Sequence, residues 1–210
     1  MKISASFLGS DYIAGSLMKL NVTDVDYIHV DVMDGKFVRQ KSLPFKEMKK
    51  IYKYTSKRLD VHLMVAHPAK EIRNYALLNT EYITFPVEVK DDILKLIDLV
   101  HSYGIKCGLA VSPDTDLAQV FPFLEKIDLV LILTVQPGMS GQSFLSEAAQ
   151  KVSILKHKIE LDHLNVKIMV DGGINAETKK QVKDADILAS GSYILNSDNY
   201  QDAITKLRSI

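Results

Sequence analysis

Tyr27-Ile28-His29-Val30-Asp31-Val32-Met33-Asp34-Gly35 sets an imidazole, a carboxylate and a thioether at alternate positions. An extended strand sends successive side chains to opposite faces, so His29, Asp31 and Met33 share one face while Ile28, Val30 and Val32 take the other. Asp60-Val61-His62-Leu63-Met64-Val65 repeats the device with His62 and Met64 on a common side, and Lys167-Ile168-Met169-Val170-Asp171 ends in a carboxylate followed by Gly172 and Gly173. Imidazole nitrogens and carboxylate oxygens together suit Zn²⁺ or a similar divalent ion, so His29, Asp31, His62 and Asp171 form a candidate metal site if the fold gathers these strands. A lone histidine on a strand reads as a core group. Four such residues at three strand ends read as a site, with Met33 and Met64 supplying apolar surface beside it.

Glycines mark a second half. Thr134-Val135-Gln136-Pro137-Gly138-Met139-Ser140-Gly141-Gln142-Ser143-Phe144 is a tight loop leading into a helical stretch, and Gly172-Gly173 and Ser190-Gly191-Ser192 follow two later strands. Glycine lets backbone N–H groups ring an anion, and helix amino termini add partial positive charge. Each turn alone reads as punctuation; three successive late loops read as a phosphate cradle.

These groups need a scaffold. Apolar or alternating runs recur at Ile3–Leu8, Tyr27–Val32, Leu59–Val65, Tyr82–Phe85, Ile105–Val111, Leu129–Val135, Val166–Val170 and Asp186–Ala189, which predicts eight strands. Helical stretches separate them. The clearest is Asp91 to Val100, with Ile93, Leu94, Leu96, Ile97 and Val100 on one stripe and Gly104 as its stop; Pro44 and Pro68 open two others, Asn175-Ala176-Glu177 caps another, and the one after the sixth strand runs to about Ile159. Alternating β and α units force a parallel sheet, either a closed barrel or an open doubly wound sheet. No G-x-G-x-x-G follows the first strand, so a single (β/α)8 TIM barrel over residues 1–210 is predicted, with chemistry at the carboxyl ends of its strands.

Composition agrees. The 210 residues, 47% hydrophobic, suffice for one α/β domain, and Lys plus Arg equal Asp plus Glu at 26 each, so no global field exists to hold nucleic acid or an anionic membrane. No signal pattern or membrane-length apolar run is visible, and a cytoplasmic protein is expected. The only cysteine, Cys107, lies in an apolar run and is expected in the core. His67, His101, His157 and His163 are expected at helix surfaces or ends.

The runs His29 to Val38, Asp60 to Val65, Thr134 to Phe144 and Val170 to Asn175 resemble signatures of the ribulose-5-phosphate 3-epimerase family, and Ile3-Ser4-Ala5-Ser6-Phe7-Leu8 is similar to that family's first strand. The resemblance spans essentially the whole chain. It implies that His29, Asp31, His62 and Asp171 ligate one divalent metal ion, Zn²⁺ first with Fe²⁺, Mn²⁺ or Co²⁺ as alternatives, and that Asp31 and Asp171 double as acid and base. It further implies that Ser6, Met33, His62, Met64 and Asp171 contact substrate, and that Gly138, Met139, Ser140, Gly141, Gly172, Gly173, Gly191 and Ser192 hold its phosphate. A homo-oligomer, from dimer to hexamer, is expected from the same source. The chemistry asks for these types: inverting C3 of a 2-ketose needs acid/base groups on both faces of the carbon, and a cation stabilises the enediolate charge.

This chain departs from the family pattern at Arg39-Gln40, where a Pro-Asn pair is expected, at Pro86 in place of histidine, at Leu133 in place of methionine and at Ser140 in place of glycine. The leading expectation is conversion of D-ribulose 5-phosphate to D-xylulose 5-phosphate. A hexulose 6-phosphate such as allulose 6-phosphate, or sugar-phosphate binding without catalysis, are the alternatives.

Overall fold

Branched aliphatic residues at alternate strand positions seek a helix layer outside, and the smaller or polar residues between them turn inward. In the computed structural model, which describes residues 1–139 and 141–209, this pattern closes into a ring. Eight parallel strands run in chain order: β1 Lys2–Ser6, β2 Tyr27–Met33, β3 Leu59–Met64, β4 Thr80–Pro86, β5 Lys106–Val111, β6 Leu129–Leu133, β7 Lys167–Asp171 and β8 Ile187–Ser190. β8 returns to β1 with Lys2 opposite Ile187 and Ala5 opposite Ser190, so the (β/α)8 barrel is closed.

Helices α1 Ile13–Asn21, α2 Phe45–Met48, α3 Pro68–Tyr75, α4 Ile93–His101, α5 Ser146–Leu161, α6 Ser192–Leu195 and α7 Tyr200–Arg208 occupy the connections. The Asp92 side chain accepts from Lys95 N to start α4, whose buried stripe is Leu96, Ile97 and Val100. Leu94 departs from the expected stripe and is 44% exposed, because at 100° per residue it turns well to one side of Leu96 and Val100. After β5 the connection Leu117–Lys126 is 3₁₀ helix, with Pro122 inside it removing a donor that an α-helix would use. Short 3₁₀ helices also follow α2, over Lys49–Lys53, and β7, over Thr178–Val182, and Asn175 caps the approach to the latter by accepting from Glu177 N and Thr178 N.

The outward aliphatic residues, among them Ile28, Val30, Leu63, Ile83, Leu109, Ile132 and Leu188, merge with the helices into one large core. Inside the barrel the lining is split. The inward side chains of β1 to β4 include the buried polar residues Ser4, Ser6, His29, Asp31, Asp60, His62 and Thr84. Those of β5 to β8 include the apolar Ala110, Leu129, Leu131, Leu133, Met169, Ile187 and Ala189, with the carboxylate of Asp171 at the tip of β7. Cys107 is buried as expected. No helix among the described residues is long and apolar enough to cross a membrane.

Candidate active site

Parallel pairing sets His29 opposite Asp60 and Asp31 opposite His62 on neighbouring rungs of β2 and β3. Strand alternation points all four inward, and β7 delivers Asp171 from three strand steps away around the ring. One ligand atom each from His29, Asp31, His62 and Asp171 lies within 4.8 Å of every other. His29 Nε2 stands 3.3 Å from Asp31 Oδ1 and 3.7 Å from Asp171 Oδ2, and His62 Nδ1 stands 3.4 Å from Asp31 Oδ1. These separations are long for hydrogen bonds but match donors about 3.4 Å apart around one cation at bond lengths of ~2.0–2.1 Å.

The donor set supports the same conclusion. His29 Nε2 and both ring nitrogens of His62 are buried without a hydrogen-bond partner, although buried polar atoms are normally paired. Three carboxylates, Asp31, Asp60 and Asp171, meet here, and among the described residues no lysine or arginine forms an ion pair with them. A divalent cation would satisfy both the bare nitrogens and the surplus negative charge. The group could therefore hold a metal ion.

Electrostatics separates the two outer carboxylates. Burial raises the pKa of the Asp31 carboxyl, but the nearby His29 and His62 rings oppose it strongly and the net shift is downward. Asp171 is pushed up to about 6, chiefly by burial and also by Asp31 and Asp60, against the lowering influence of the imidazoles. Burial disfavours a charged His29 ring, yet Asp31 and Asp60 together raise its pKa well above the ordinary value. A cation would compete with that proton, so its uptake should release one.

Supporting bonds fix the strand tips. Ser6 Oγ donates to Asp31 Oδ2 at 3.2 Å. Buried Thr134 holds the end of β7, with its N–H and Oγ–H both donating to Asp171 O and Oγ–H also reaching Gly172 O at 2.6 Å. Ser190 Oγ donates to Ile174 O, tying β8 to the turn after β7. Gly172 has φ +116, and a Cβ there would lie 2.6 Å from Val135 Cγ2 and 2.8 Å from Val135 N, so the β6 and β7 turns approach as closely as only glycine allows.

Above the quartet opens a cleft of about 560 Å³, mouth included. Ser6, Asp31, His62, Met64, Gly138, Met139, Gly141, Asp171, Gly172, Gly173, Gly191 and Ser192, all singled out from sequence, line it. Two do not: His29 is enclosed beneath, and Met33 packs behind with Val38 and Met64, covered because the loop after β2 folds back through Ser42, which bonds Met33 N. Ser140 lies outside the described residues. Among the described residues, no lysine or arginine lines the cleft. An anion there would meet backbone N–H groups, and α6 begins at Ser192 directly beside it. Of the departures among the described residues, Leu133 reaches the lining; Pro86 is buried at the end of β4, and Gln40 Oε1 packs toward Gly138 from the β2 loop.

Sequence reasoning left Asp60 and Thr134 without roles. Asp60 was accessible, since it lies two residues before His62 and so shares its face; nothing local marks Thr134, whose partners come from another strand.

The fold is shared widely. The KGPDC structure from Streptococcus mutans superposes with a TM-score of 0.67 at 14% identity, covering 99% of this chain and 95% of that one. The 3-hexulose-6-phosphate synthase from Salmonella typhimurium gives 0.66 at 18% identity, covering 99% and 96%. Sequence relationships run closer. The ribulose-phosphate 3-epimerase of Methanocaldococcus jannaschii is 35% identical over 212 residues, 99% of this chain and 90% of the relative. That of Treponema pallidum is 34% identical over 194 residues, 90% and 89%. The profile of the Ribulose-phosphate 3 epimerase family matches residues 2–195, nearly from end to end, and the chain belongs to that family.

Proposed function

We propose that the barrel, acting as one catalytic domain over residues 1–210, inverts C3 of a ketose phosphate, interconverting D-ribulose 5-phosphate and D-xylulose 5-phosphate. The observation that supports this most directly is the convergence of two imidazoles and two carboxylates within 4.8 Å beneath a glycine-lined cleft that carries no lysine or arginine among the described residues. His29, Asp31, His62 and Asp171 would hold one divalent ion, Zn²⁺ by preference, with Fe²⁺, Mn²⁺ and Co²⁺ compatible with the same donors. Such an ion supplies Lewis-acid stabilisation of the negative charge that develops beside C3.

Asp31 and Asp171 come from β2 and β7, so a sugar between them presents one face of C3 to each. One carboxylate removes the C3 proton while the other, protonated, delivers one from the opposite side; for the reverse direction the roles exchange. Ser6 orients Asp31, and Met64 with Leu133 excludes water from the reacting carbon. Backbone N–H groups of Gly138, Met139, Gly141, Gly172, Gly173, Gly191 and Ser192 receive the phosphate. Its binding energy, expressed away from the reacting atoms, positions C3 between the aspartates.

The test is solvent exchange at C3. Metal-loaded protein incubated in D₂O with D-ribulose 5-phosphate should incorporate deuterium at C3 and form D-xylulose 5-phosphate; absence of both would refute the proposal. Parallel turnover of allulose 6-phosphate ranks hexulose against pentulose phosphates.

A further inference from the structure

Among the described residues, Asp60 is the one inward carboxylate that neither lines the cleft nor belongs to the quartet. It is 0% exposed. Its Oδ2 accepts from His29 Nδ1 at 2.6 Å and from Ser4 Oγ at 2.8 Å, while Oδ1 has no partner. Among the described residues, no lysine or arginine pairs with it, so His29 is its only possible counter-charge. A carboxylate enclosed in a barrel core on such terms is costly for folding, and an apolar side chain of similar size would serve packing better. What it does accomplish is geometric. With Nδ1–H donating to Asp60, the neutral His29 ring must carry its lone pair on Nε2, the atom that faces Asp31 and Asp171.

His62 provides the contrast. Neither of its nitrogens has a hydrogen-bond partner, so no hydrogen bond among the described residues selects its tautomer. Ser4 and Asp60 stand on β1 and β3 at either side of β2, which carries His29, with Asp60 directly opposite His29. The hydroxyl holds the carboxylate, and the carboxylate holds the ring. If Asp60 released the ring, His29 could protonate Nε2 instead and donate it to Asp31 at 3.3 Å, which would close the site on itself.

We propose that Asp60, braced by Ser4, is a positioning residue that holds His29 by Nδ1 and so keeps Nε2 as the nitrogen aimed at the cation site, making His29 the pre-organised ligand and His62 the adaptable one. The inference rests on the metal-binding reading above. Bonds of this kind, from a ligand's far nitrogen to a buried carboxylate, set both ring orientation and ligand basicity.

Its test is Zn²⁺ affinity, measured by competition with a chromophoric chelator on wild-type, Asp60→Asn and Ser4→Ala proteins, together with the thermal midpoint of each metal-free form. Asp60→Asn should weaken Zn²⁺ binding roughly 10- to 100-fold and Ser4→Ala by a smaller factor in the same direction, with metal-free midpoints equal to or above wild type. A merely structural role would lower the midpoints and leave affinity within twofold, and that result overturns the proposal. Should Asp60→Asn not fold, Ser4→Ala decides alone: unchanged affinity overturns the positioning role. Wild-type protein that binds no divalent ion would instead remove the metal reading itself and this inference with it, an outcome separate from tight wild-type binding that the variants fail to alter.

Discussion

Replacing Asp171 by asparagine removes one of the two groups proposed to handle the C3 proton while leaving the scaffold in place. The volume is retained. The β7 tip is held through main-chain atoms, by Thr134 on the carbonyls of Asp171 and Gly172, so the side-chain change disturbs none of those bonds. The amide oxygen can still ligate a cation, more weakly, and Zn²⁺ is therefore kept saturating. Loss of one acid/base group lowers turnover by roughly 10²–10⁴-fold, and the middle of that range, about 10³, corresponds to about 4 kcal/mol of barrier. The assay follows C3 deuterium incorporation and epimer conversion by NMR, starting separately from each epimer. Because each aspartate serves one face of C3, Asp171→Asn should all but abolish conversion from either side. The epimer whose C3 proton faces Asp31 should still exchange that proton without inverting. Conversion within tenfold of wild type at saturating Zn²⁺ would refute the assignment of Asp171.

Three further outcomes follow from the geometry. His62→Gln should bind less than one equivalent of Zn²⁺ by elemental analysis after dialysis, yet leave the metal-free thermal midpoint near wild type, because neither ring nitrogen of His62 makes a hydrogen bond within the protein. Gly172→Ala should lose about 1–3 kcal/mol in urea unfolding, since φ +116 and a Cβ 2.8 Å from Val135 N strain the backbone itself. For metal-free protein, Asp171 is raised from 3.8 to about 6 by folding, so its contribution favours the folded state below pH 4 and is lost as pH rises through 6. Asp171→Asn should accordingly match wild-type stability near pH 4 and exceed it by about 3 kcal/mol at pH 7, as a rise from 3.8 to about 6 requires; a variant less stable at pH 7 than at pH 4, relative to wild type, would contradict the sign.

Local chain geometry explains what could be read before any coordinates. Strand alternation has a period of two whatever the fold, so His29 with Asp31, and His62 with Met64, were bound to share faces. Eight runs with helical stretches between them left a parallel barrel as the natural closure, and the closed order β1 to β8 agrees. The glycine turns announced themselves by residue type. Helix geometry within single connections was less legible: Pro122 and the turn after Asn175 gave 3₁₀ segments, and Leu94 fell outside its stripe.

Nonlocal register decided the rest. Only pairing His29 with Asp60 and Asp31 with His62 across two strands puts a carboxylate beneath one imidazole and another beside its neighbour. Ring closure alone brings Asp171 from β7 to 3.7 Å from His29, and sets Thr134 under it. Met33 shared its face with Asp31 by alternation, yet the fold of the β2 loop buried it behind Met64. A linear sequence specifies which face a side chain takes because that depends on two dihedral angles per residue. Which rung it occupies opposite a distant strand depends on how all eight strands shear and close together, and that was settled only by the packed barrel.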